Sequence, residues 1–162
     1  MTSKDAFVDL WEREFPTTLK VLRAYPADKA DFTPHERSMT ARKLAWTFVT
    51  EEQVMGQVLA GELKLPPSFP PPPAAWQEIL AAYESSHAEL RSRLLETPAS
   101  DLDKPIRFFT GPGQMGDVPR MQILWLMELD SIHHRGQLSV YIRLAGGKVP
   151  SIYGPSADEP WM

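Results

Sequence analysis

Asp130, His134 and Gln137 place metal-capable and hydrogen-bonding side chains on a face that should otherwise be apolar. They lie in the strongly helical run Asp130-Ser131-Ile132-His133-His134-Arg135-Gly136-Gln137. At about 100° per residue, both partners of Asp130 fall within about 60° of it, together with Ile123, Leu126, Met127, Tyr141 and Leu144. Burying such groups unpaired costs roughly 1–3 kcal/mol each. They therefore either bond to one another across a core or line a site.

Asp130 and His134 are an i,i+4 pair, so their side chains point the same way and can supply two ligands to one divalent ion. Gln137, a turn further on, is within reach to steady them. A second helical run offers a facing pair, Thr47 and Glu51, on a stripe with Leu44, Val54 and Val58. Glu51 is the better ligand, because a neutral hydroxyl binds divalent cations poorly, and it is also the candidate general base. Glu52 points about 140° away and is expected in solvent. The alternative is a metal-free network in which Thr47, Glu51, Asp130 and His134 satisfy one another. His133 either joins the site or bonds to a neighbouring helix. His87 is expected at the surface or an interface, His35 in a loop, and Arg135 and Arg143 on the outside.

Four long segments read as the helices that would position these groups. The first spans about Ser3 to Ala24, with Ser3 as N-cap and Pro16 expected to kink or split it. The second follows Ser38 and stops at Gly61. The third opens at Pro73 or Ala74 and ends near Thr97-Pro98, and the fourth runs from about Pro119 to Leu144. The run Leu65-Pro66-Pro67-Ser68-Phe69-Pro70-Pro71-Pro72-Pro73 reads as a stiff crossover between two antiparallel helices, rather than as a ligand for an SH3-type partner. Residues 99–119 form a long loop with room for a short strand pair. The expected fold is all-α: an up-and-down four-helix bundle with a proline-rich crossover between helices two and three and a long loop before helix four. Residues 1–162 are expected to form one domain, with the tail around Ile152, Tyr153 and Trp161 packed back on the bundle.

Composition narrows the function classes. The chain is 43% hydrophobic and 23% charged, as in ordinary globular proteins. It has no run of the ~20 apolar residues that a membrane helix needs, and Lys4, Asp5 and Asp9 interrupt any secretory leader. It has no cysteine, which removes disulfides and thiolate chemistry of its own and fits a cytoplasmic location. A net charge of −4 with scattered basic residues argues against nucleic acid as a partner. Met121, Trp125 and Ile132 lie nearly opposite Asp130; they are expected either to make a homodimer interface or to be covered by the 99–119 loop.

The segment His133-His134-Arg135-Gly136-Gln137-Leu138-Ser139-Val140-Tyr141, followed by Gly147-Lys148-Val149-Pro150-Ser151-Ile152-Tyr153-Gly154-Pro155-Ser156, resembles the DinB-like superfamily of DNA-damage-inducible proteins. Leu44-Ala45-Trp46 is similar as well, and the resemblance covers nearly the whole chain. It implies a four-helix bundle, often a homodimer. It also implies one divalent metal, nickel or zinc, held by three histidines, and the thiol chemistry of bacillithiol transferases and mycothiol-dependent isomerases. Carried over residue by residue, the metal positions become Thr47, Asp130 and His134, of which only His134 is a histidine. Glu51, one turn beyond Thr47, would restore a carboxylate-rich set that is harder, more tolerant of manganese or iron and weaker for nickel, so the expected cofactor is one divalent ion, zinc, nickel or manganese. The expected function is therefore a metal-dependent transferase or hydrolase acting on a small-molecule ligand. The alternative is a metal-free, non-catalytic stress-response binding bundle.

Overall fold

The computed structural model describes residues 2–162. Four long helices dominate: α1 (Ser3–Ala24), α2 (Ala41–Ala60), α3 (Trp76–Glu96) and α5 (Arg120–Leu144). Between α3 and α5 lie a short helix, α4 (Ala99–Leu102), and an antiparallel hairpin, β1 (Pro105–Gly111) with β2 (Gln114–Pro119). The chain is thus mostly helical with one small sheet, and the strand pair sits inside the expected loop.

The helix ends follow local chemistry. Thr2, not Ser3, caps α1 in a reciprocal capping box with Asp5. Pro16 does not split α1: it lies on the exposed face, where water can reach the carbonyl it leaves without an amide partner. Thr40 caps α2 by accepting from the Lys43 amide. Gly61 ends α2 in the left-handed conformation, φ 74°, which favours glycine.

The helix directions differ from the up-and-down order. Trp76, at the start of α3, donates its indole N–H to the Leu22 carbonyl at the end of α1 (3.0 Å). Arg42, at the start of α2, donates to the Pro73 carbonyl just before α3 (3.1 Å). Consequently α2 and α3 run parallel, and α1 and α5 run the other way. The proline-rich segment does not join antiparallel neighbours; it returns the chain along the whole of α2. An extended 61–75 segment reaches about 45 Å at about 3.1 Å per residue, comfortably more than the about 30 Å of a 20-residue helix. Trp46 pins the segment by donating its indole N–H to the Pro70 carbonyl (2.9 Å).

The interior is divided by residue type. One apolar cluster gathers Leu22, Ala45, Phe48, Ile79 and Ile142. A second gathers Phe7, Trp11, Met55, Leu94 and Leu124, with Phe108 of the hairpin closing its end. Between them, near the middle of every long helix, lie the buried polar groups Glu14, Thr18, Glu51, Glu52, His87, Glu128, Ser131 and Arg135. Among the described residues no helix is long and apolar enough to cross a membrane.

The strip Met121-Trp125-Ile132 is not free for a subunit contact. Met121 is buried, and Trp125 packs edge-on against Phe7 of α1 at 5.2 Å between ring centres. The tail does fold back, but its anchors are polar: Arg143 to Asp158 (2.5 Å) and Lys20 to Glu159 (2.6 Å). Trp161 stays 64% exposed, contrary to the expected burial.

Candidate metal centre

α2 is the inner helix, with α5 on one side and α3 on the other. Two adjacent carboxylates on it therefore face different neighbours. Glu51 turns to α5, where the His134 ring lies with Nδ1 2.8 Å from Glu51 Oε1. On the far side of the same ring, Nε2 is 4.0 Å from Asp130 Oδ1. One ligand-capable atom from each of Glu51, Asp130 and His134 lies within 4.8 Å of the others. Glu51 is buried, His134 half-buried, and the Asp130 side chain 47% exposed, so the group opens to solvent on the Asp130 side.

The electrostatics follow from burial. Desolvation pushes Glu51 up to about 7, against the opposing pull of its bond to His134. That same bond holds the imidazole above its ordinary value. Glu51 Oε2 is buried and has no hydrogen-bond partner among the described residues. A buried orphan carboxylate oxygen normally costs stability and wants a partner, which a cation would supply. The donor set, two carboxylates and one imidazole on two packed helices, fits a divalent ion and leaves positions open for a further ligand.

The other expected site residues make bonds of their own. Thr47 is half-buried and donates its hydroxyl to the Leu44 carbonyl of its own helix (2.6 Å). Gln137 is exposed and pairs with His133, also exposed, at 2.9 Å, so neither braces His134.

Glu52 is not in solvent. It is 4% exposed and faces α3 and α1, accepting from the Trp11 indole N–H (3.1 Å) with His87 Nδ1 at 3.3 Å. The expectation treated α2 as a surface helix with one apolar stripe, whereas α2 is covered on both flanks. His87 is likewise buried, its ring 3.9 Å from that of Trp11 and 3.7 Å from that of Phe15.

Arg135 points inward rather than outward, because α5 packs against α1 as well as α2. Its guanidinium is 1% exposed and donates to Glu14 Oε2 (2.7 Å), Thr18 Oγ1 (3.0 Å) and the Tyr153 hydroxyl. Tyr153 in turn donates to Glu14 (2.6 Å). The two halves of the motif that carried the resemblance, His-His-Arg-Gly-Gln and Ile-Tyr-Gly, thus meet on one buried carboxylate. Glu128 completes the belt; burial and the nearby Glu52, Glu14 and Glu51 carboxylates push it up to about 8. Glu14 and Glu128 were missed in the sequence. Glu14 had a readable signal, since with Phe7, Trp11, Thr18 and Leu22 it lies on the apolar face of the first helix.

These features define a mostly helical protein with a carboxylate-rich, metal-capable group between two central helices. The DinB family model matches residues 1–161, and the chain belongs to the DinB family. YrdA of Bacillus subtilis (strain 168) is 28% identical over 156 residues, 96% of this chain and 90% of that protein. A DinB-like protein from Bacillus cereus ATCC 10987 superposes with TM-score 0.76 at 24% identity, covering 92% of this chain and 97% of its own. The DinB-like protein YjoA from Bacillus subtilis covers both chains fully, with TM-score 0.69 at 18% identity. More distant is a mycothiol-dependent maleylpyruvate isomerase: TM-score 0.52, 15% identity, 89% of this chain and 61% of that one.

Proposed function

We propose that Glu51, Asp130 and His134 hold one divalent cation and that the chain is a metal-dependent enzyme, of the thiol-transferase or hydrolase class, acting on a small molecule. The observation that carries this reading is the approach of three ligand-capable atoms to within 4.8 Å, one residue supplying a buried oxygen with no partner. When bound there, the ion supplies Lewis-acid activation of a substrate sulfur or oxygen. Two oxygens and one nitrogen favour zinc or manganese over nickel. Asp130, at the open edge, admits the ligand from solvent. Glu51, the deepest of the three, holds the ion from the interior side through its unpartnered oxygen. The distant likeness to a mycothiol-dependent isomerase supports thiol chemistry as the first substrate class to try.

The test is metal content of protein purified without chelator, together with thermal unfolding with and without zinc or manganese. At free metal one hundred times the dissociation constant, binding stabilises by about 2.7 kcal/mol. For a chain of this size that raises Tm by roughly 5–10 °C. Glu51→Gln and His134→Ala each abolish the increment. Metal-free protein whose Tm ignores both ions overturns the reading.

A second reading, a metal-free binding protein, is favoured by one observation. Glu51 and His134 already satisfy each other at 2.8 Å. It predicts a Tm unchanged by chelator and by added metal, and so is separated by the same experiment.

A further inference from the structure

Consecutive acids of α2 face different neighbours, and the Glu52 flank holds a cavity of its own. It measures about 240 Å³ and lies between α2 and α3, whereas the candidate metal centre lies between α2 and α5. At about 30 Å³ per liquid water that is the volume of about eight waters, room for a small metabolite. The buried part of its wall is Glu52, Gly56 and Leu90. Gly56 stands in mid-helix, where glycine is less favourable than alanine. Nothing crowds it: a Cβ there would meet no atom nearer than the Arg93 guanidinium at 4.0 Å. Close packing of α2 on α3 therefore does not require the glycine. Its missing side chain leaves room.

Glu52 gives the cavity its chemistry. The Trp11 indole N–H and His87 Nδ1 both approach Oε1. Oε2 is buried and has no partner among the described residues. Nearer the mouth, Glu89 and Arg93 hold each other at 2.6 Å and cancel in charge. Gln53, Gln57 and Ser86 give the half-buried rim hydrogen-bonding groups. Phe69, on the proline-rich segment, adds an aromatic wall, and the Trp46 bond to Pro70 fixes that segment against α2.

We infer that this cavity binds a small organic cation, a primary ammonium on a short apolar body, with the ammonium donating to Glu52 and the body between Leu90 and Phe69. Charge selects the class. With Glu89 and Arg93 paired, Glu52 is the acid in the wall that no lining cation balances, and its second oxygen lacks a donor. An ammonium supplies both the charge and the hydrogen bond. The Phe69 ring face attracts the same cation, and Leu90 covers the hydrocarbon. A neutral alcohol supplies the hydrogen bond alone, and an anion is repelled by Glu52.

The experiment uses the full chain in buffer with chelator, which keeps it independent of the metal reading. The probes are benzylamine, its neutral counterpart benzyl alcohol, and benzoate, each titrated in by ligand-detected NMR. Benzylamine binds with a dissociation constant of about 1 mM or below, benzyl alcohol at least about tenfold more weakly, and benzoate not at all. Glu52→Gln keeps an acceptor for Trp11 and weakens benzylamine to the level of the alcohol. Gly56→Leu fills the room and abolishes binding of every probe, while its Tm stays at or above that of the wild type because the position is helical and uncrowded. Should Glu52→Gln fail to fold, the probe series and Gly56→Leu still decide. No binding of benzylamine up to about 10 mM, an alcohol or benzoate that binds as tightly as the amine, or a folded Gly56→Leu that binds as the wild type does overturns the inference.

Discussion

Arg135 ties α5 to α1 and to the tail, and removing its charge has a cost that can be worked out. Arg135→Met keeps most of the side-chain volume but strands the charge of Glu14, which is 4% exposed and loses its cationic partner at 2.7 Å, keeping only the neutral Tyr153 hydroxyl. An uncompensated buried charge of this kind costs about 3–5 kcal/mol. The Thr18 hydroxyl loses the same donor, while Tyr153 keeps its own bond to Glu14. At about 2–4 °C per kcal/mol, Tm falls by roughly 6–20 °C. The double variant Arg135→Met with Glu14→Gln leaves no stranded charge, so most of the loss returns. The coupling between the two positions, read from a thermal-unfolding double-mutant cycle, should be at least about 2 kcal/mol. A single variant within about 1 kcal/mol of wild type, or a double variant no better than the single, would refute the assignment of this pair as a desolvated ion pair.

Glu128→Gln tests the crowding of carboxylates. A carboxyl held near 8 in the fold and near 4.5 unfolded keeps its proton when folded, so wild-type stability falls as pH rises from about 4.5 to 8. The glutamine, which cannot ionise, removes that fall; its Tm advantage over wild type should grow from pH 5 to pH 8, and a pH-independent difference would contradict the cause given. Gly61→Ala forces a left-handed residue and drives a Cβ to 2.5 Å from the Arg120 guanidinium, so about 1–2 kcal/mol of stability is lost in denaturant unfolding. Thr47→His places an imidazole one turn from Glu51; if Thr47 borders the ion, metal competition shifts toward nickel, and an unchanged preference places it outside the coordinating set.

Much of the architecture was legible because its signals are local. Gly61, Thr97-Pro98 and the apolar periodicity of α1 mark their elements without reference to anything distant. Glu51, Asp130 and His134 were legible together because i,i+4 spacing and an interrupted stripe are properties of single helices. Helix direction was not, since nothing in the proline run says whether it turns back or travels the length of its neighbour. That one unknown hid the burial of Glu52, His87 and Arg135. Each lies on a flank that a helical wheel counts as outside, and each is inside only because α2 has neighbours on two sides and α5 packs on α1.

The parallel course of α2 and α3 bears on how the protein is made. Neighbouring helices that cannot close as a local hairpin must wait for loop closure over longer stretches, which slows acquisition of the native arrangement. Glu51 and His134 are 83 residues apart along the chain. A ribosome must therefore release α5 before the centre can exist, and until then the uncompensated acids of α1 and α2 are best left in water. The last of the described helices, α5, installs together the charge-balancing Arg135 and the His134 imidazole.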